Sequence, residues 1–427
     1  MKYSILTFGC RVNQADSLVL EQKLRTRGAE PTSSAEADLV LVNSCSVTCS
    51  ADQGTRQAIR RVARENPSAQ IVVTGCYATR SPEQVAAIPG VLHVVANRDK
   101  DTLVEWLAGS LSGLQMPTTA ERFGRGEGPC GAVLRPGDGG RTSLMLRVQT
   151  GCDEKCSYCI IPSTRGSSVS RPLGSVLRNV EQACEAGYRE ITLTGVHLGA
   201  YGRDLRPRRS LSELLGALAR MPHDLLIRLG SLEPMDCTEE VLSTLAGSPK
   251  FADALHLPLQ HAAGRVLEAM RRPYSLEYYA GLVGSIRRRL PAASIGTDII
   301  VGFPGESDRE FDELRSYLER SPLTQLHVFP YSDRPGTEAS KLPSKVVAAV
   351  VRERARSIRE IGRRLTSRFL DTQVLRVHRA LTIDDGTLVV TGNGLKARLI
   401  TPLPRNEWVD VRLRRGGETL VADLLRG

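Results

Sequence analysis

The sequence predicts an α/β protein built from three parts. An amino-terminal parallel α/β domain, a central partial β/α barrel and a small carboxyl-terminal antiparallel β-barrel are expected, because 427 residues exceed one comfortable hydrophobic core. Short apolar runs alternate with helical patterns before about residue 110 and again between about 142 and 340, which is typical of parallel sheets. After residue 370, alternating runs separated by glycine turns favour antiparallel strands.

The amino-terminal domain is expected over residues 1–112. Its strands are predicted at 3–8, 39–42, 71–74 and 92–95, and its helices near 15–27, 50–65, 81–88 and 98–109. The run Ser81-Pro82-Glu83-Gln84 predicts a capping box, with proline in the first turn of the third helix.

Three cysteines of this domain, Cys10, Cys45 and Cys76, each follow the end of a predicted strand. The carboxyl ends of parallel strands share one edge of a sheet, so the three thiols are expected to meet there. Glycine or serine precedes each cysteine, which lets the backbone approach a bulky ligand closely. The pattern favours a metal cluster, with three buried structural cysteines as the alternative.

Residues 113–141 are rich in glycine, proline and serine and are predicted to be an interdomain linker. Cys130 lies inside this segment and is interpreted as incidental.

A second set of cysteines opens the central domain, which is expected over residues 142–370. Cys152, Cys156 and Cys159 follow the first of six predicted strands in a C-x3-C-x2-C run. Three thiolates can hold three irons of a cubane cluster and leave the fourth iron open for S-adenosylmethionine. A zinc loop completed by Cys130 or Cys184 is the alternative, although neither has a partner at short spacing. The six strands are predicted at 143–149, 190–194, 225–229, 253–257, 294–301 and 324–330.

Polar residues recur at the ends of the later strands, where a β/α barrel places its active site. They include His197, His261 and Asp298. A single histidine is more often structural than a ligand, so these residues gain weight only from their shared position.

The last part of the chain is basic. An arginine-rich helix is predicted near 343–369, and its interspersed glutamates favour a solvated, salt-bridged face over phosphate contacts. The tail, 371–427, is predicted to form a small barrel of the oligonucleotide-binding kind, with strands at 373–377, 386–390, 396–400, 409–414 and 419–424. Its basic surface is predicted to comprise Arg376, Lys396, Arg398, Arg412, Arg414 and Arg415.

Composition limits the partners and the compartment. A formal charge of +10 favours a polyanionic partner. Ten cysteines at spacings suited to metal ligation require reduced thiols, which favours the cytoplasm. No apolar stretch approaches the roughly 20 residues of a membrane span, so a soluble protein without membrane association is expected.

Nearly the whole chain resembles the radical S-adenosylmethionine methylthiotransferases, which combine an amino-terminal domain with three cluster cysteines, a central radical domain and a carboxyl-terminal TRAM domain. The opening Thr7-Phe-Gly-Cys-Arg-Val-Asn-Gln-Ala-Asp-Ser17 and the runs at 193–202 and 329–339 resemble the branch that modifies threonylcarbamoyladenosine in transfer RNA. The resemblance implies methylthiolation of C2 of N6-threonylcarbamoyladenosine at position 37, with two S-adenosylmethionine molecules used per turnover.

The resemblance also implies cofactors, partners and site residues. Cys152, Cys156 and Cys159 would hold the radical 4Fe-4S cluster, and Cys10, Cys45 and Cys76 an auxiliary 4Fe-4S cluster. The residues implied to line the S-adenosylmethionine pocket are Tyr158, Gly195, Ser231, Glu233 and Gln260. An electron donor such as a flavodoxin and a sulfur source are implied as well. Cys49 stands where the family has a small residue, and is interpreted as a spare thiol or a filler.

Other functions stay open at this point. A methylthiotransferase could act on isopentenyladenosine in transfer RNA or on an aspartate of a ribosomal protein. A non-enzymatic, metal-dependent RNA-binding protein would also explain the basic tail and the cysteines.

Overall fold

The computed structural model describes residues 1–110, 135–137, 142–417 and 419–425. It confirms the predicted mixed α/β class, with a parallel sheet, a second α/β region and a small closed barrel. The predicted linker at 113–141, including Cys130, lies outside the described residues apart from 135–137. Among the helices described, none is long and apolar enough to cross a membrane.

A five-stranded parallel sheet forms the amino-terminal region. Its elements, in chain order, are β1 (Lys2–Thr7), α1 (Arg11–Thr26), β2 (Glu30–Pro31), β3 (Leu39–Ser44), α2 (Cys49–Glu65), β4 (Gln70–Gly75), α3 (Cys76–Arg80), α4 (Pro82–Ala86), β5 (Val91–Val95) and α5 (Leu103–Ser110). The strand order is β2-β1-β3-β4-β5. Helices α1 and α5 pack on one face and α2, α3 and α4 on the other. Because both faces are covered, the central strand β3 is buried throughout and begins with four apolar residues.

The predicted third helix, near 81–88, is confirmed as α4, and a short helix that was not predicted, α3, directly precedes it. The backbone N–H of Ser81 donates to the Tyr77 carbonyl and closes α3, so this residue ends one helix as it begins the next. The Ser81 side chain makes no capping hydrogen bond. The predicted capping box is therefore wrong, while proline at the first position of the helix is confirmed.

The central region contains six parallel strands at the predicted positions. Its elements are β6 (Leu144–Arg147), β7 (Gln149–Thr150), α6 (Ile161–Arg165), β8 (Val169–Ser170), α7 (Leu173–Glu185), β9 (Glu190–Thr194), α8 (Leu211–Ala219), β10 (Leu226–Leu229), α9 (Glu239–Ala246), β11 (Ala254–His256), α10 (Gly264–Ala269), α11 (Leu276–Arg289), β12 (Ser294–Val301), α12 (Asp308–Arg320) and β13 (Gln325–Pro330). The strands form two sheets, β6-β9-β10 and β11-β12-β13. Hydrogen bonds from Ile227 N–H to the Lys250 carbonyl (2.6 Å) and from Ala252 N–H to the Ile227 carbonyl (3.0 Å) join them. Within the described residues β6 and β13 are edge strands, so the six strands form a partial barrel.

A long helix, α13 (Ala348–Gln373), leads from the central region into the tail. Its buried residues Ile361, Leu365 and Phe369 keep a four-residue spacing, and this spacing carries the helix on to Gln373, which is also buried. The strand predicted at 373–377 is therefore wrong, and the first tail strand begins at Val377 instead.

The tail forms a closed five-stranded barrel. Its strands are β14 (Val377–Ile383), β15 (Leu388–Thr391), β16 (Lys396–Leu399), β17 (Trp408–Gly416) and β18 (Thr419–Leu424). Their order is β14-β15-β16-β18-β17, and the β16–β18 pair is parallel whereas the other pairs are antiparallel. The Arg228 guanidinium on β10 donates to the Thr391 carbonyl (2.7 Å) and the Gly392 carbonyl (3.0 Å), which fixes the barrel to the central sheet.

A buried carboxylate joins the amino-terminal and central regions. Asp16 on α1 accepts from Arg147 (2.6 Å), Arg165 (3.0 Å) and Lys100 (3.0 Å). Burial alone would raise the pKa of Asp16, but the three cations outweigh it and hold the pKa well below its ordinary value. Because Arg147 and Arg165 belong to the central region, this cluster sets how the two regions meet.

Candidate active site

The amino-terminal thiols come together at the carboxyl edge of the first sheet. Cys45 and Cys76 directly follow β3 and β4 and are buried, whereas Cys10 is exposed. Gly9 lies against Cys45: a Cβ on Gly9, whose φ is +93°, would be 2.5 Å from the Cys45 Sγ. Burial, with a smaller effect of the neighbouring Cys10 and Cys76, raises the pKa of Cys45 to about 11. A thiol in this setting loses its proton readily only when its sulfur binds a metal.

Asn97 connects this thiol set to the central region. Its Nδ2 lies 3.6 Å from the Cys76 Sγ and donates to the Thr164 carbonyl on α6 at 2.9 Å. This contact places the end of α6 beside the amino-terminal cysteine set. The loop that carries the central cysteine set is therefore near it as well.

The central thiols lie in the loop that follows β7. Cys152, Cys156 and Cys159 are all half-buried and none forms a disulfide. The Cys152 N–H donates to the Gly166 carbonyl (3.0 Å) and the Cys159 N–H to the Cys156 carbonyl (3.1 Å), which folds the loop back on itself. Burial, reinforced by the other two thiols, raises the pKa of Cys159 to about 12. The three thiols are thus carried on one short, folded loop.

A buried arginine stands beside this set. Arg272 Nη1 lies 3.1 Å from the Cys156 Sγ, its Nη2 pairs with Glu233, and its Nε donates to the Tyr274 hydroxyl at 2.9 Å. Burial raises the pKa of Cys156, and the Arg272 cation opposes that rise. Arg272 therefore favours a thiolate at this position.

A histidine that is held by a carboxylate lies beside Cys152. His197 Nδ1 lies 3.7 Å from the Cys152 Sγ, and its Nε2 lies 2.6 Å from Asp236 Oδ2. Burial alone would lower the pKa of His197, but its hydrogen bonds to Asp236 and Cys152 outweigh it and raise the pKa to about 10. His197 thus contacts the cysteine loop, whereas the sequence alone favours a purely structural role for it.

A cavity lies between the cysteine loop, the amino-terminal region and strands β12 and β13. The residues lining it are Val47, Thr48, Tyr158, Cys159, Ile160, Ile161, Gln260, Asp298, Ile300, Phe329, Pro330, Tyr331 and Ser332. Gln260 has a positive φ of 69° and pairs with β12 through hydrogen bonds to Asp298 and Ile300. The cavity is largely apolar, and Gln260, Asp298, Thr48 and Ser332 are among its polar lining residues.

The five predicted pocket residues separate into two groups. Tyr158 and Gln260 line the cavity together with Cys159. Gly195, Ser231 and Glu233 are outside that lining: Gly195 lies against Gln149, Ser231 is exposed, and Glu233 pairs with Arg272 beside Cys156.

The thiol spacing bears on which metal could bind. Among the described residues, the three ligand atoms that all lie within 4.8 Å of one another belong to His256, Asp298 and His327, so neither cysteine set is drawn together that tightly. Zn–S bonds of about 2.3 Å would place thiolates of a tetrahedral zinc roughly 3.8 Å apart. In neither set do all three sulfurs lie within 4.8 Å of one another.

Two family profiles match the chain. Residues 2–97 match Uncharacterized protein family UPF0004, and residues 146–318 match the Radical SAM superfamily. The Threonylcarbamoyladenosine tRNA methylthiotransferase MtaB of Aquifex aeolicus is 36% identical over 391 residues, which cover 91% of this chain and 94% of that protein. The Ribosomal protein uS12 methylthiotransferase RimO of Chloroflexus aurantiacus is 31% identical, over 93% of this chain and 91% of that protein. The chain belongs to the radical S-adenosylmethionine methylthiotransferases.

Solved structures agree with this fold. The radical S-adenosylmethionine methyltransferase TsrM of Kitasatospora setae, with cobalamin and a [4Fe-4S] cluster bound, has a TM-score of 0.57 at 17% identity, over 79% of this chain and 76% of that one. The cobalamin-dependent radical enzyme OxsB has a TM-score of 0.51 at 12% identity, over 84% of this chain and 56% of that one.

Membership of the family confirms that the methylthiotransferase is an enzyme, and it implies S-adenosylmethionine and a 4Fe-4S cluster as cofactors. The alternative of a non-enzymatic, metal-dependent RNA-binding protein is therefore wrong.

Several residues near the methylthiotransferase thiols gave no signal in the sequence. Arg272 is 116 positions from Cys156, and Asp236 is 39 positions from His197, so no short motif connects either pair. Cys49 is exposed at the start of α2, and its Sγ lies 3.3 Å from Arg334 Nη1 and 3.5 Å from the Ser332 hydroxyl. The interpretation of Cys49 as a spare thiol or a filler did not predict these contacts with the central region.

Proposed function

We propose that this methylthiotransferase replaces the C2 hydrogen of N6-threonylcarbamoyladenosine at position 37 of transfer RNA with a methylthio group. The observation that carries the proposal is the 36% identity to the Aquifex aeolicus enzyme of that name, over nearly the full length of both chains. The enzyme of the same name from Bacillus subtilis supports it, at 34% identity over 85% of this chain and 80% of that protein.

The central cysteine set fits the cluster that this reaction needs. Cys152, Cys156 and Cys159 offer three free, half-buried thiols on one folded loop. Bound there, a 4Fe-4S cluster would supply the electron for reductive cleavage of one S-adenosylmethionine molecule. A second S-adenosylmethionine molecule would serve as the methyl donor. Arg272 would compensate thiolate charge at Cys156, and His197 would hold the position of Cys152.

The amino-terminal set fits an auxiliary 4Fe-4S cluster that handles sulfur. Gly9 leaves room next to Cys45, and Asn97 offers a donor to the Cys76 sulfur. Since Asn97 also binds α6, the two cysteine sets would be held in one arrangement during the reaction.

Residues of the cavity would bind and orient S-adenosylmethionine. Tyr158 and Gln260 would contact it directly. Ile160, Ile300 and Phe329 would keep water away from the place where S-adenosylmethionine is cleaved. Glu233 would contribute from beside Cys156, where it pairs with Arg272, and Gly195 and Ser231 are retained as predicted contacts of S-adenosylmethionine.

The two clusters are tested by replacing each cysteine set with alanine. The anaerobically reconstituted enzyme should hold about eight irons per chain, four in each cubane. Replacing Cys152, Cys156 and Cys159 should halve the iron and abolish cleavage of S-adenosylmethionine. Replacing Cys10, Cys45 and Cys76 should also halve the iron, yet leave cleavage largely intact and end sulfur insertion. Full methylthiolation by the second variant would show that the amino-terminal thiols are structural.

The substrate is tested by mass spectrometry of transfer RNA nucleosides from a strain that lacks the enzyme. The 2-methylthio derivative of threonylcarbamoyladenosine should be missing and should return with the wild-type gene. Loss of methylthiolated isopentenyladenosine, or of a modified aspartate in a ribosomal protein, would assign the enzyme to one of the alternative targets.

A further inference from the structure

Three side chains of the kinds that can bind a metal meet on the central sheet, and none of them belongs to a cysteine set. His256, Asp298 and His327 lie on the neighbouring strands β11, β12 and β13. Asp298 is directly opposite His327, and His256 is opposite Gly296, two residues from Asp298 on the same face of β12. A Cβ on Gly296 would lie 2.9 Å from His256 Nδ1, so the glycine leaves the space that the imidazole occupies.

The ligand atoms converge on one carboxylate oxygen. His256 Nε2 lies 2.9 Å and His327 Nδ1 3.3 Å from Asp298 Oδ1, and the two rings stack with their centroids 4.9 Å apart. Bonds of about 2.0–2.2 Å from zinc to nitrogen and oxygen place neighbouring ligands of a tetrahedral ion roughly 3.4 Å apart. An ion could therefore enter with only small movements of the three side chains.

The alternative is a hydrogen-bonded cluster in which Asp298 accepts from both imidazoles. Two observations favour an ion. Two histidines and one carboxylate are the donor set that Fe²⁺ and Zn²⁺ take with open coordination positions. The site is also accessible, because the His327 side chain is 46% exposed and the Asp298 side chain 24% exposed.

We propose that His256, Asp298 and His327 bind one divalent transition-metal ion, Zn²⁺ or Fe²⁺. Asp298 also lines the cavity, so a position left open by the three ligands would face the cavity and take a water molecule or an oxygen ligand from it. The site is independent of which nucleoside the enzyme modifies.

The test is a Co²⁺ titration of the reconstituted holoenzyme, followed by competition with Zn²⁺. One Co²⁺ per chain should bind with a d–d absorption spectrum and without a thiolate-to-cobalt charge-transfer band. His256→Ala and His327→Ala should each weaken binding at least about tenfold, since losing even an outer-shell partner of a metal site costs 10–100-fold. Gln325→Ala, an exposed side chain two residues from His327 on β13, is the matched control and should bind as the wild type does.

Iron content and melting temperature are measured on each variant, so that an unfolded protein is not mistaken for one that has lost the site. Unchanged Co²⁺ binding in both histidine variants would overturn the proposal. So would a thiolate charge-transfer band, which would place the ion in a cysteine set, or the absence of saturable binding in the wild type.

Discussion

At the scale of single residues, three thiols of the two sets, Cys45, Cys76 and Cys156, each lie beside a residue that shapes their surroundings. Gly9 gives Cys45 its space, Asn97 donates toward Cys76, and Arg272 adds a positive charge next to Cys156. The small residue before each amino-terminal cysteine was predictable, because it is adjacent in sequence. Arg272 was not predictable, because only the folded chain brings it to the cysteine loop.

Gly9→Ala tests whether iron binding by the amino-terminal cysteine set depends on the close approach of Gly9 to Cys45. The added methyl would lie 2.5 Å from the Cys45 Sγ at a φ of +93°, so it must displace the thiol. We expect iron content to fall by about half, four of about eight irons, while cleavage of S-adenosylmethionine persists. Iron analysis and an assay for 5′-deoxyadenosine measure the two effects.

Gly28→Ala is the matched control. Gly28 also has a positive φ, +74°, but a Cβ there meets nothing within 4 Å. It should lose some stability through backbone strain yet keep its full iron content. Equal iron loss in both variants would mean that the close approach of Gly9 to Cys45 is unimportant.

At the scale of elements, alternation and apolar runs located the strands well. β9 and β12 lie at the predicted residues: polar and apolar residues alternate along β9 (Glu-Ile-Thr-Leu-Thr), and an apolar run ends β12 (Ile-Ile-Val). The errors fall where an element's end depends on its neighbours. Ser81 is shared by two helices, and α13 runs past residue 370 into the segment predicted as a strand.

The tail barrel offers a test of RNA binding through its exposed arginines. Arg398 and Arg412 are exposed and, among the described residues, have no carboxylate partner, whereas Arg414 pairs with Asp423 at 2.9 Å. We expect Arg398→Gln and Arg412→Gln to weaken binding of transfer RNA, and each to lower the slope of log affinity against log salt by roughly 0.7–0.9. Binding measured across a salt series gives both quantities.

Arg414→Gln is the matched control, because its charge is already offset by Asp423. It should change affinity and salt slope less than either of the other variants. If all three variants bind as the wild type does, phosphate contacts lie elsewhere, with the exposed arginines of α13 as the next candidates.

At the scale of the whole molecule, the proposed reaction would need the two cysteine sets in a fixed relation, and Asp16 joins the two regions that carry them. Asp16→Asn would leave Arg147, Arg165 and Lys100 buried without their shared counter-charge. Breaking a buried ion pair in this way costs about 3–5 kcal/mol. We expect a clearly lower free energy of unfolding, measured by denaturant titration.

Asp101→Asn is its control, because Asp101 binds the same Arg147 at 2.7 Å but its side chain is 60% exposed. An exposed pair contributes about 0–1 kcal/mol, so this variant should stay close to the wild type. Similar stability of the two variants would show that the buried cluster does not hold the regions together.

The most direct test of the central claim is a reaction with defined transfer RNA. Holoenzyme, S-adenosylmethionine, a reductant and sulfide are incubated with transfer RNA carrying either threonylcarbamoyladenosine or isopentenyladenosine, and the nucleosides are analysed by mass spectrometry. The account predicts the 2-methylthio product only from threonylcarbamoyladenosine, and only when both cysteine sets are intact. Methylthiolation of isopentenyladenosine instead, or full product from the variant that lacks Cys10, Cys45 and Cys76, would contradict it.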